Sequence, residues 1–94
     1  MNIVRMYGLS HEKELQKIVI PKEARILSVC VIHEHIQIAV VEDVNALLHQ
    51  DRSQTIEFAI FKETRHFSVD DYTFLGTILL EFGNTVYHVF YRNV

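Results

Sequence analysis

The feature that most constrains this chain is an apolar period of two. Short runs rich in Ile, Val, Phe, Tyr and Thr alternate with polar residues between turn formers, and the 3.6-residue repeat of an amphipathic helix is almost absent. That alternation sends successive side chains to opposite faces of an extended backbone. Strands are predicted over residues 2–7, 15–20, 25–32, 35–42, 54–61, 73–82 and 85–91. Pro21 cannot donate to a ladder and so marks a strand edge or exit. Within 94 residues this pattern predicts one all-β domain, residues 1–94, built as a small antiparallel sandwich or partly open barrel with at most one short helical turn.

The connections are less regular. Only His33-Glu34 separates two strongly apolar runs, so a hairpin is predicted there, wider or bulged because this dipeptide is not of the Asn-Gly kind. Gly83-Asn84 supplies the positive φ values of a two-residue hairpin turn, with Phe74, Gly76, Ile78, Leu80 and Phe82 sharing one strand face before it. Residues 43–50 break the alternation: Val44, Leu47 and Leu48 have helical spacing and Asp43 is a cap, which fits one or two helical turns or an ordered loop. Ser68 to Asp71 resembles a capped single turn. Runs 25–32 and 35–42 are apolar on both faces. A domain this small needs a second sheet, a helix or another subunit to cover them, so homo-oligomer formation is expected.

Composition narrows the function classes. With 49% hydrophobic and 22% charged residues, the chain belongs among globular domains rather than disordered tails. The longest apolar runs, such as Val29–Ile32, hold four residues, far short of the roughly 18 of a membrane span. The start of the chain shows no secretory pattern, and a single cysteine fits a reducing compartment. The net charge is −3 and the nine Lys and Arg residues form no run of three, which disfavours nucleic acid as a partner. One local cationic group remains: Lys62, Arg65 and His66 lie within five residues and would hold a phosphate or carboxylate if their loop folds inward. Otherwise they are a solvated loop.

No pattern points to catalysis. His33 and His35 would share one side of an extended strand, the minimum for joint metal ligation, with His49, His66, Glu34 or Glu42 as third ligands, yet none stands at a recognised spacing. Cys30 sits mid-strand between Val29 and Val31, the setting of an inert core thiol. Glu42-Asp43 and Asp70-Asp71 are sequence neighbours that point apart and read as turn residues. His88 reads as a hydrogen-bonding residue in or near the core. The three glycines, at 8, 76 and 83, build no phosphate loop. No enzyme activity, cofactor or metal is expected.

Two stretches carry a family likeness. The block Ile18-Val19-Ile20-Pro21-Lys22-Glu23-Ala24-Arg25-Ile26-Leu27-Ser28-Val29, with the closing Phe74-Leu75-Gly76-Thr77 and Tyr87-His88-Val89-Phe90, resembles a family of small uncharacterised bacteriophage proteins. Members often have a tryptophan in the central hairpin and a Gly-Thr-Gly turn, where this chain has Ile36 to Val41 and Lys62-Glu63-Thr64. The resemblance implies a phage accessory protein made in the cytoplasm of the infected host. It implies no activity and no functional residue. The expected function is stoichiometric binding of a host protein, such as a defence component, through a sheet face or edge. The alternative is an oligomeric sequestrant of a small anionic, nucleotide-like signal, using Lys62, Arg65 and His66 with Arg25 or Arg52, and Tyr72 or Tyr91 for stacking.

Overall fold

The computed structural model describes residues 1–45, 52–68 and 70–94. Seven strands run in order β1 (Asn2–Leu9), β2 (Leu15–Pro21), β3 (Arg25–Ile32), β4 (His35–Asp43), β5 (Ser53–Lys62), β6 (Thr73–Leu80) and β7 (Thr85–Asn93). They form two open antiparallel sheets, β1-β4-β3 and β2-β5-β7-β6. The predicted sandwich is what forms, and it does not close into a barrel. Residues 46–50 of the segment read as helix or loop lie outside the described residues, as does His49. At its start Asp43 Oδ1 accepts the Asn45 N–H (2.8 Å), the capping contact expected of Asp43. No helix of the described residues is long and apolar enough to cross a membrane.

Alternation explains the core. On one sheet Ile36, Ile38 and Val40 of β4 face Ile56, Phe58 and Ile60 of β5 on the other, joined by Leu9, Ile20, Ile78, Leu80, Tyr87 and Val89. Each set recurs every second residue, so one face of each strand enters a shared interior. β5 is buried on both faces from Ile56 to Phe61. Its outer face is covered by the β5–β6 connection, where Phe67 stacks on Phe61 with ring centroids 4.1 Å apart. The second face of β5 is thus covered within the chain.

Two turns differ from expectation. His33 and Glu34 both have positive φ (50° and 65°) and Ile32 pairs directly with His35, a tight two-residue hairpin rather than a wide one. The Glu34 carboxylate accepts the backbone N–H groups of Glu81 (2.8 Å) and Phe82 (3.2 Å), contacts that offset the cost of a non-glycine turn. Conversely β6 stops at Leu80, which pairs with Thr85, so the second hairpin has the four-residue loop Glu81-Phe82-Gly83-Asn84 with positive φ at its first three positions.

β6 also carries a bulge. Its register with β7 shifts between Phe74 and Gly76, so Phe74 opposes Phe90 on the outer face while Ile78 and Leu80 point inward. The single shared face expected for Phe74 through Phe82 is therefore interrupted. Past the bulge β6 approaches β3, the closest strand pair between the two sheets. A Cβ built on Gly76 would lie 2.8 Å from Val29 Cγ1, closer than real Cβ atoms approach.

Candidate functional site

The sequence-selected cations divide between two depressions that share Arg65. Lys62 ends β5 and Arg65 follows in the adjoining turn, where its N–H donates to Lys62 O (2.9 Å). Both line a small cavity with His11, Glu14, Ile60 and Tyr87. Arg65 is engaged there by Glu14, Nε to Oε1 at 2.7 Å and Nη2 to Oε2 at 3.4 Å. Its guanidinium holds the Glu14 carboxyl below the usual range, and the carboxylate pushes Arg65 up. His66 lines a separate open depression with Glu63, Thr64, Arg65 and Phe67. Arg25, Arg52, Tyr72 and Tyr91 do not line the cavity.

Each sheet carries one buried carboxylate held by a tyrosine and an arginine. Glu42, 1% exposed, is not a turn residue: it lies within β4 and accepts from the Tyr7 hydroxyl and from Arg5 Nη1 (3.3 Å), while the Arg5 guanidinium sits 5.3 Å from the Tyr7 ring centroid. Burial, then the bond to Glu42, pushes the Tyr7 hydroxyl up to about 12. On the other sheet Glu57, 7% exposed, accepts from the Tyr72 hydroxyl (2.7 Å) and from Arg92 Nε (2.9 Å) and Nη2 (2.8 Å), with Arg92 4.6 Å from the Tyr72 ring centroid. The Tyr72 bond, with Arg92, holds the Glu57 carboxyl below its usual range. A depressed carboxyl stabilises the fold above its unfolded pKa of about 4.3, and that contribution is lost as pH falls. The gap in melting temperature between the parent chain and Glu57→Gln is expected to narrow on acidification below about pH 4.3. A gap constant with pH would show that Glu57 carries no such linkage.

The sheet edges are unequal. On β2 the Ile60 N–H donates to Glu14 O (2.8 Å) and the register runs from Leu15 with Ala59, so Leu15, Lys17 and Val19 turn their backbone groups outward. Lys17 and Pro21 blunt that edge. Edges β3 and β6 carry bulges, at Leu27 and Leu75, and meet each other. β1 has neither bulge nor proline. Val44 N–H donates to Met1 O (2.9 Å) and all eight residues pair with β4 without a shift. Asn2, Val4, Met6 and Gly8 therefore direct their N–H and C=O groups away from the sheet. Val4 and Met6 are 56% and 45% exposed.

The whole chain, residues 1–94, matches the family described as Domain of unknown function (DUF7352). The chain belongs to that family. No curated protein and no solved structure matches it.

The remaining candidates in this DUF7352 domain are dispersed. His33 lies in the turn at positive φ and not on a strand with His35, so the shared side expected of the pair is lost. Among the described residues no three His, Cys, Asp or Glu side chains are grouped to hold a metal. Cys30 is half-buried and opposes Gln37 rather than sitting in the core. His88 is on the outer face, with Nδ1 2.9 Å from Thr77 Oγ1. Three features escaped sequence reasoning. Tyr87 reads from sequence only as a strand residue and Glu42 as a strand end, a turn residue or a third ligand, and the regularity of β1 shows only against the rival edges. The last was legible, since Pro21 and Lys17 mark β2 as protected while residues 2–9 contain no proline.

Proposed function

We propose that this chain is a non-catalytic binding module that acts by stoichiometric contact, accepting an extended strand of a partner protein along β1. The observation that carries this reading is that β1, alone among the four sheet edges, is long, in register and free of bulge, proline or covering strand among the described residues. Such an edge offers a row of unmet backbone donors and acceptors to another chain, with alternate side chains supplying specificity. Val4 and Met6 flank those groups on the outer face. The resemblance to small phage proteins supplies the setting: an accessory protein in the infected cell's cytoplasm whose partner is a host protein, such as a defence component.

The test is Val4→Pro. The Val4 N–H points away from β4, so proline removes a donor that the fold does not use and blocks strand addition. Quantitative affinity capture from host lysate, parent against Val4→Pro, is expected to show one protein at near-equal molar ratio with the parent and at least tenfold less with the variant, at unchanged circular dichroism. Equal recovery on both baits would overturn strand addition at β1. Light scattering on the isolated chain separates the competing occupant: a species of twice 11.0 kDa that Val4→Pro dissociates would give the edge to a second copy instead.

A further inference from the structure

At the end of the sandwich where β5 stops, the β1–β2 turn and the start of the β5–β6 connection flank an open-mouthed cavity of about 130 Å³ lined by His11, Glu14, Ile60, Lys62, Arg65 and Tyr87. Tyr87 is the unusual member. It is 3% exposed and packs in the core, with His11 edge-on to its ring at 6.0 Å between centroids. Its hydroxyl enters none of the hydrogen bonds among the described residues, yet no fully enclosed side-chain nitrogen or oxygen lacks a partner. Tyr87 is one of the residues that line the cavity. A buried ring that presents its O–H at a pocket places a donor there for a bound acceptor.

The surrounding charges say what would accept. Glu14 is ionised and neutralised by the two-point contact with Arg65. Lys62 makes no ion pair among the described residues, which leaves the pocket with a net positive charge. Donors predominate on its walls: the Tyr87 hydroxyl, the Lys62 ammonium and the His11 ring. The cavity has room for one tetrahedral oxyanion. The geometry points to a binding pocket for a single phosphate-sized oxyanion, anchored by Lys62 and hydrogen-bonded by Tyr87. The site is independent of strand addition at β1, and it takes up Lys62 and Arg65 but not His66 of the cationic group. An anion bound there is either free phosphate or the phosphate of a monoester whose remainder stays outside.

The experiment is a ¹H–¹⁵N NMR titration of the full chain with inorganic phosphate and, separately, with phosphoserine, at ionic strength held constant with chloride. Saturable shifts are expected at the amides of residues 11, 60, 62, 65 and 87. Tyr87→Phe keeps the ring and deletes only the donor, so it is expected to weaken binding about tenfold, the scale of a hydrogen bond to a charged group. Lys62→Gln is expected to abolish saturation. Tighter binding of phosphoserine assigns the pocket to a monoester, and tighter binding of inorganic phosphate assigns it to the free ion. Shifts that chloride alone reproduces, absence of saturation with both ligands, or equal affinity of the parent and Tyr87→Phe would overturn the site.

Discussion

Gly76→Val is expected to destabilise the fold by about 3 kcal/mol, the upper range for forcing extra carbon into a packed interior. A Cβ at this position meets Val29 Cγ1 at 2.8 Å, and valine adds two further methyl groups where β6 presses on β3. Valine is otherwise a good strand residue, and losing glycine restricts the unfolded chain, so local preference argues for stabilisation. The clash is expected to win because both partners sit on strands held in register. For a domain of this size the loss corresponds to a fall in melting temperature of roughly 12–24 °C. The decisive control is Val29→Ala in the same chain: if the clash is the cause, the double variant recovers part of the loss, a coupling expected only of residues in contact. Strict additivity of the two changes would refute the steric account.

Glu42→Ala is expected to cost about 2–3 kcal/mol. The change removes the acceptor of the Tyr7 hydroxyl and the partner of Arg5, and leaves a void where the buried carboxylate was. The full 3–5 kcal/mol typical of breaking a buried ion pair is not expected, because Arg5 is half-exposed and water can replace its partner. Glu42→Gln keeps an acceptor oxygen and is expected to cost about 1 kcal/mol. Urea unfolding of the three proteins, with unchanged slope, measures this order. Equal stability of the alanine variant and the parent would show that the carboxylate is not holding the β1–β4 pair. Tyr7 adds a signature at high pH. Its folded pKa of about 12 exceeds the unfolded value near 10, so its contribution is complete below pH 10 and is lost as pH rises through 12.

Strand positions were readable because their signal is local. Val, Ile and Phe at every second residue of 35–42 and 54–61 specify both an extended backbone and the face that enters the core, and β4 and β5 occupy nearly those spans. Turn geometry was less readable because partners distant in sequence help set it. His33-Glu34 tolerates positive φ while Glu34 bonds backbone donors 47 and 48 residues away. Glu42 escaped for the same reason: nothing beside it in sequence shows that Tyr7 and Arg5, on β1, will meet its charge. The site was half legible. Lys62 and Arg65 stood out as clustered cations, but a tyrosine alternating with His88 looks like any strand residue until the fold opens a cavity beside it.

The contact of Glu34 with the loop of the opposite sheet has a mechanical consequence. One carboxylate grips two consecutive amides, at Glu81 and Phe82, and so buckles the tips of the β3–β4 and β6–β7 hairpins together. Splaying the layers at that end requires both bonds to this one side chain to break. The 90% exposed Phe82 ring thus stands on a loop whose backbone is tied to the opposite sheet.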